Sequence, residues 1–257
     1  MMPAEIGLEG AAVIVTGAGS GIGAATARQL GRAGAPVVLV GRREALLRDV
    51  ADEITGNGGQ ALCVPADLAD AASPGLIVRA CLERFGRIDG LVNNAAVVQH
   101  MPVADWDTGC FDEHVAVNIR APFFLIQQVL PALRVSPIRS VVNISSSSGT
   151  LRRTGQSVYG MTKSALDYLT STLAGELAPL GIRVNGISPG PIDTPIHATW
   201  ADDLEEAYRW LGSQVPLGRI GAAEEVALWI TLLLSPMASF MTGAVIPLDG
   251  GQAIDRE

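Results

Sequence analysis

Three cysteines, Cys63, Cys81 and Cys110, are scattered through 257 residues with no CxxC pair among them. That spacing excludes a disulfide framework and a thiolate zinc site, and it points to a reducing compartment. Basic residues are also short: 18 Lys and Arg against 26 Asp and Glu leave a net charge of −8. A nucleic-acid groove or a polybasic membrane surface needs the opposite balance, so work on a small molecule fits better. No apolar run approaches the roughly 20 residues that cross a bilayer. The opening MMPAEIGLEG holds neither a basic nor an apolar leader region. The expectation is a soluble, cytoplasmic protein. Repeats of solenoid period and Pro/Gly/Ser-rich linkers are missing too, which leaves one domain over residues 1–257.

What the chain does have is alternation. Short apolar runs rich in β-branched residues, at 11–16, 36–40, 61–64, 88–92, 140–144, 183–187 and 244–247, have strand length. Between them lie amphipathic stretches of helical length, at 22–33, 44–55, 77–85, 108–133, 157–180 and 223–234. This order predicts an α/β fold of the Rossmann type: a doubly wound, seven-stranded parallel sheet with helices on both faces. Right-handed crossovers then bring the loops after the strands to one crevice outside their carboxyl ends.

Those loops form a chemical set. After the first strand comes Thr16-Gly17-Ala18-Gly19-Ser20-Gly21-Ile22-Gly23. Glycines there permit a tight turn and close backbone approach to phosphate, and the helix start favours an anion. A Gly-rich turn between strand and helix is the setting of a dinucleotide site. After the second strand stands Gly41-Arg42-Arg43. A carboxylate at this place would suit the ribose 2′-hydroxyl of NAD, whereas an arginine suits the 2′-phosphate of NADP. NADP(H) is therefore favoured, with NAD(H) as the alternative if the two arginines are only solvated helix-start residues. Further on, Tyr159 and Lys163 are four apart, so in a helix they share a face roughly 6 Å from each other. An ammonium held close to a phenol favours phenolate, which would let Tyr159 move a proton near neutral pH.

These motifs, in this order over nearly the whole chain, resemble the short-chain dehydrogenase/reductase superfamily in its single-domain branch. The resemblance rests on the turn Thr16–Gly23, Asp67-Leu68, Asn93-Asn94-Ala95-Ala96, Asn118, Ser146 with Tyr159-x-x-x-Lys163, Pro189-Gly190 and Asp249-Gly250-Gly251. One departure stands out: Ala96 occupies the place where the family usually has the glycine of NNAG. The resemblance implies Asn118, Ser146, Tyr159 and Lys163 as catalytic residues. It implies cofactor contacts at Gly17, Gly19, Ser20, Gly21, Ile22, Gly23, Arg42, Arg43, Asp67, Leu68, Asn94, Ala95, Ala96, Tyr159, Lys163, Pro189, Gly190, Ile192 and Thr194. Among these Asp67 would meet the adenine, and Ile192 and Thr194 the nicotinamide carboxamide. Asn93 would support the central sheet, and Asn118 would bend its helix around a water leading to Lys163. Of the serines at 145–148, Ser146 is selected twice, as the head of S-x-x-G ending at Gly149 and by its thirteen-residue distance from Tyr159. Its hydroxyl would stabilise charge developing on the substrate oxygen.

The activity implied is interconversion of a carbonyl and a secondary alcohol, foremost as an NADP(H)-dependent ketoreductase similar to the 3-oxoacyl-carrier-protein reductases. An NAD-linked secondary alcohol, hydroxysteroid or sugar-type dehydrogenase is the alternative, and a non-catalytic dinucleotide-binding protein a distant one. The substrate would be free or bound to a carrier protein, no metal is implied, and the long helices would pair subunits into a homotetramer or homodimer. The segment 191–217 is expected to be a substrate lid. Its His197, Trp200, Tyr208 and Trp210, beside acidic Asp202, Asp203, Glu205 and Glu206, fit a substrate pocket as well as they fit the packed face of a short helix. Arg152 and Arg153 read more readily as solvated residues than as an anion clamp, and His100 and His114 as structural.

Overall fold

The computed structural model describes residues 6–195 and 203–254. Seven parallel strands form the sheet: β1 Val13–Thr16, β2 Val37–Gly41, β3 Ala61–Pro65, β4 Gly90–Asn93, β5 Ser140–Ile144, β6 Arg183–Pro189 and β7 Val245–Leu248. Their spatial order is β3-β2-β1-β4-β5-β6-β7, with every neighbouring pair parallel. Each strand lies within about three residues of its expected bounds, since a run buried on both faces announces itself as continuous apolar sequence.

Strand period divides the core in two. Val13, Val15, Val37 and Leu39 point to one face, where α1 (Gly21–Arg32), α2 (Glu44–Gly56) and α8 (Ala223–Leu234) supply Leu30, Leu47, Ile54 and Ile230. Ile14, Val38 and Val40 point to the other. There α3 (Ser73–Phe85), α5 (Ala121–Leu133) and α6 (Ser157–Leu177) contribute Ile77, Leu125, Val129 and Leu173. The other α-helices among the described residues are α4 (Thr108–Val115) and α7 (Leu204–Ser213).

The stretch expected as one helix over 108–133 is interrupted. Between α4 and α5 the chain makes a π turn, Ala116–Arg120, with Asn118 inside it. Asn118 is buried and spends its amide elsewhere: Oδ1 accepts from Val97 N–H at 2.9 Å, and Nδ2 donates to Val97 O at 2.9 Å and to Thr162 Oγ1 at 3.0 Å. A π turn inserted in a helix is commonly a functional device, and this one ties the loop after β4 to α6. By length and composition alone Thr108–Leu133 is apolar enough to cross a bilayer, which corrects the expectation about apolar runs. In the fold α5 covers the sheet beside α3, burying Leu125, Ile126, Val129 and Leu133.

Because β1 has β2 on one side and β4 on the other, the loops leaving β1 and β4 diverge and open a crevice. Thr16 fixes its floor. Its Oγ1 donates to Val92 O at 3.2 Å and accepts from Asn94 N–H and Ala95 N–H at 2.9 and 3.1 Å. Asn93 lies below, buried, with Nδ2 donating to Asn143 Oδ1 at 2.9 Å across β4 and β5.

Candidate active site

A cleft of about 1000 Å³ runs over the carboxyl ends of the strands. All of the expected cofactor and catalytic residues line it except Gly23 and Asn118. Gly23 serves the turn instead: a Cβ there would come within 2.2 Å of Gly17 O and 2.6 Å of Asn94 Nδ2, so only glycine lets α1 start so close to the turn. Gly17 and Gly21 hold positive φ, 66° and 52°, a conformation open to glycine at little cost.

This half of the cleft suits a dinucleotide. α1 starts at Gly21, and Ser20 at its cap makes no side-chain hydrogen bond to the helix, so the first N–H groups face the cleft uncapped by a side chain. Beside it Arg43 Nη2 donates to Ser20 Oγ at 3.4 Å, and Arg42 Nη1 stands 3.6 Å from Glu113 Oε1 with 64% of its side chain exposed. Two guanidiniums thus lie in the cleft near the start of α1, a pair of charges that fits a phosphate. Asp67 lines the same end, its Oδ1 accepting from Ala69 N–H at 2.9 Å. Thr194 packs over Gly21, and Ile192 bridges to Gly221.

At the other half Ser146, Tyr159 and Lys163 converge. Ser146 lies two residues beyond β5 and caps the short turn 147–149, its Oγ accepting from Ser148 N–H at 3.1 Å. Tyr159 and Lys163 rise from the first turns of α6, both buried, with Nζ 5.7 Å from the phenol ring centre. The Tyr159 side chain hydrogen-bonds that of Ser146. Lys163 Nζ donates to Ile144 O at 2.8 Å. The neighbouring serines are engaged elsewhere, Ser145 Oγ with Lys163 O at 3.3 Å and Ser147 Oγ with Gln252 Oε1 at 3.1 Å.

The electrostatics depart from the expectation that Lys163 lowers the Tyr159 pKa. Burial pushes the phenol above its ordinary value, and only the Ser146 hydrogen bond works the other way. Burial also pulls Lys163 down to about 8, against a smaller upward pull from Asp167 one turn along α6. Removal of both groups from water outweighs their mutual attraction here. The resulting phenol is a proton donor at neutral pH rather than a standing phenolate. Asp167 is itself pushed up by burial, with Ser145 and Lys163 opposing.

Three residues not expected from sequence belong to this half. His100 lines the cleft and hydrogen-bonds Gln156 Nε2 through its own Nε2 at 2.8 Å. Gln156 also accepts from Ser148 Oγ at 2.7 Å. Arg153, read as solvated, is half-buried and lines the cleft, whereas Arg152 is exposed and outside it. The one signal that could have found Gln156 is its place at the cap of α6, where a side chain turns toward the crevice. His114 is structural as expected: buried, edge-on to Trp106, with Nδ1 2.8 Å from Cys110 O. From the segment expected as a lid, Trp210 and Leu211 on α7 line the cleft, and the Tyr208 hydroxyl donates to Thr194 O at 3.5 Å. His197, Trp200 and Asp202 lie outside the described residues. Among the described residues no group of three His, Cys, Asp or Glu could hold a metal ion.

The chain is similar to known proteins in sequence and in fold. A family model described as Enoyl-(Acyl carrier protein) reductase matches residues 17–253. The 3-oxoacyl-[acyl-carrier-protein] reductase of Aquifex aeolicus is 36% identical, over 96% of this chain and 99% of its own. A solved short-chain dehydrogenase/reductase from Serratia marcescens is 34% identical with a TM-score of 0.88, covering 96% of this chain and 99% of that one. A structure from Beutenbergia cavernae with NADP bound at low occupancy, proposed to be an NAD(P)-dependent gluconate 5-dehydrogenase, superposes with a TM-score of 0.90 at 34% identity. It covers 97% of this chain and 99% of that one.

Proposed function

We propose that this chain, which belongs to the short-chain dehydrogenase/reductase superfamily, is an NADP(H)-dependent ketoreductase that uses Tyr159 as its proton donor. Membership makes it a dehydrogenase or reductase acting on CH–OH groups. The observation that carries the finer reading is the convergence of Ser146, Tyr159 and Lys163 at the end of a cleft whose other end presents Arg42 and Arg43. A bound dinucleotide supplies the hydride in reduction and takes it in oxidation. The chain's own residues manage the proton. Ser146 orients the substrate oxygen and stabilises its developing charge by hydrogen bonding. Tyr159, kept protonated by burial, donates to that oxygen, and takes the proton back when the alcohol is oxidised. Lys163, with its pKa near 8, stands ready to balance the phenolate left behind. Asn118 positions the loop after β4 and the start of α6. The chain is further proposed to assemble as a homotetramer or homodimer in the cytoplasm.

The cofactor half of the proposal rests on the absence of a carboxylate at the end of β2 and the presence of two arginines. Steady-state kinetics with NADPH and NADH, over a panel of ketones and their alcohols, test it. NADPH should be preferred by about tenfold or more in kcat/KM, and Arg42→Ala should remove most of that preference. An unchanged preference would overturn the NADP assignment in favour of an NAD-linked dehydrogenase.

A further inference from the structure

The cleft beyond Tyr159 holds one charged side chain that the chemistry above does not use. Arg153 stands in the loop between Ser146 and α6, half-buried against the cleft. Its Nε is sealed from solvent without a hydrogen-bond partner, and no carboxylate pairs with the guanidinium among the described residues. Burial pulls its pKa below the ordinary arginine value, yet a guanidinium remains charged at any pH a protein meets. The loop that carries it is braced. Met101 N–H donates to Gly155 O at 2.8 Å and Gln156 N–H to Arg153 O at 3.2 Å, while Ser148 and His100 hold the Gln156 side chain. The one carboxylate among the described residues lining the cleft is Asp67, at the end with Arg42 and Arg43. A desolvated cation is costly unless an anion meets it, and guanidinium is shaped to take an oxoanion through two parallel hydrogen bonds.

Resting on the carbonyl and alcohol chemistry proposed above, we infer that Arg153 receives an oxoanion carried by the substrate. The natural substrate is then a keto or hydroxy compound bearing a carboxylate or a phosphate away from the reacting carbon. Arg152 supplies the contrast within the same loop, since it is exposed, lies outside the cleft and needs no partner but water.

Charged and neutral forms of one carbonyl, given to the full chain with NADPH, test the inference. The pairs are 3-oxobutanoate, 4-oxopentanoate and 5-oxohexanoate, each against its methyl ester, and acetoacetyl-phosphopantetheine against acetoacetyl-N-acetylcysteamine. At least one charged form should be favoured by about tenfold to a hundredfold in kcat/KM, chiefly through KM. Arg153→Met should bring that ratio close to one, Arg153→Lys should fall between, and Arg152→Met should keep the wild-type ratio. Preference confined to keto acids identifies a carboxylate and preference confined to the phosphopantetheine pair a phosphate; either supports the inference. Neutral forms reduced with no preference for charge in any pair, or a preference that survives Arg153→Met, would overturn it while leaving the ketoreductase reading intact. If no carbonyl is reduced, that reading fails instead, and calorimetric titration of the NADP-loaded protein with 4-oxopentanoate and with inorganic phosphate decides the anion site. Binding weakened about tenfold by Arg153→Met supports the site; equal binding in both proteins, or none, refutes it. NADPH fluorescence on each variant verifies the fold, and Arg153→Lys, which keeps the charge, carries the comparison if the methionine variant does not fold.

Discussion

The two ends of the sheet treat buried polar groups in opposite ways. At the amino end Asp89 is fully buried and fully met: Ala12 N–H donates at 2.9 Å, Ser136 Oγ at 2.6 Å, and Arg87 closes a two-pronged pair at 2.6 and 2.8 Å. Close by, Arg183 donates to the carbonyls of Leu233, Leu234 and Ser235 where α8 ends. At the carboxyl end, or on the loops and helices that leave it, Asn93 Oδ1, Gln99 Oε1, His114 Nε2, Arg153 Nε and Asp167 Oδ1 are buried without partners. Burying a polar atom unpaired costs roughly 1–3 kcal/mol, so a fold tolerates it where something else is gained. Of these five Arg153 lines the cleft, so satisfaction at one end marks architecture, while an unmet group in the cleft at the other marks where a ligand is to be met.

The contrast predicts that stability and activity separate along the strands, and the largest effects should come from one residue at each end. Tyr159→Phe should lower kcat by about a thousandfold while NADPH affinity stays and the unfolding free energy moves by no more than about 1 kcal/mol. Asp89→Ala should do the reverse. It leaves Ala12 N–H and the Ser136 O–H without an acceptor in the interior and should cost about 3 kcal/mol in urea denaturation, with the kcat of the folded fraction retained. A Tyr159→Phe protein that stays active would remove the proton donor from the proposal, and an Asp89→Ala protein as stable as its parent would erase the distinction between the ends.

A smaller effect comes from Lys163, whose pKa of about 8 lies below its ordinary value of 10.5 because it is buried. Between those values the unfolded chain binds more protons than the folded one, so stability should rise with pH. Tyr159 shifts the other way, with a folded pKa above 10, so its contribution falls only above that point. The window is therefore pH 8 to 10, and the gain about 2 kcal/mol. Denaturation of the cofactor-free protein across that window, minus the same series for Lys163→Met, isolates it. A difference that is flat with pH would show that Lys163 is less desolvated than its surroundings indicate.

How far the sequence could be read follows the same division of labour. Strands buried on both faces, a turn in which α1 excludes any Cβ at Gly23, and a helical pair at Tyr159 and Lys163 are all set by local periodicity or backbone geometry. They leave a mark in the chain order. The π turn at Asn118, the bracing of Gln156 by His100 and the exposure of Arg153 to the cleft depend on partners 21 to 56 residues away, which periodicity does not encode. The Asp89 staple to Ala12, 77 residues apart, was equally illegible. Arg152 and Arg153 are identical in sequence terms, and only the packing of their loop separates a solvated arginine from a half-buried one.

The end of the cleft at Arg42 and Arg43 tests the rule most finely, because there a charged group is partnered but only loosely. Glu113 on α4 stands 3.6 Å from Arg42, with both side chains partly exposed. An exposed pair of this kind is worth well under 1 kcal/mol, so it does little for the fold. Toward a 2′-phosphate, however, Glu113 acts twice: it occupies the guanidinium that would bind the ligand, and it places a negative charge close to another. Glu113→Gln should therefore tighten NADPH by about threefold to fivefold at low salt and leave NADH unchanged, with the gain fading as ionic strength rises. Equilibrium titrations of both dinucleotides at two salt concentrations measure it. A loss of NADPH affinity would instead mean that Glu113 holds Arg42 in its binding position, so that even a loose ion pair at this end of the sheet serves the ligand.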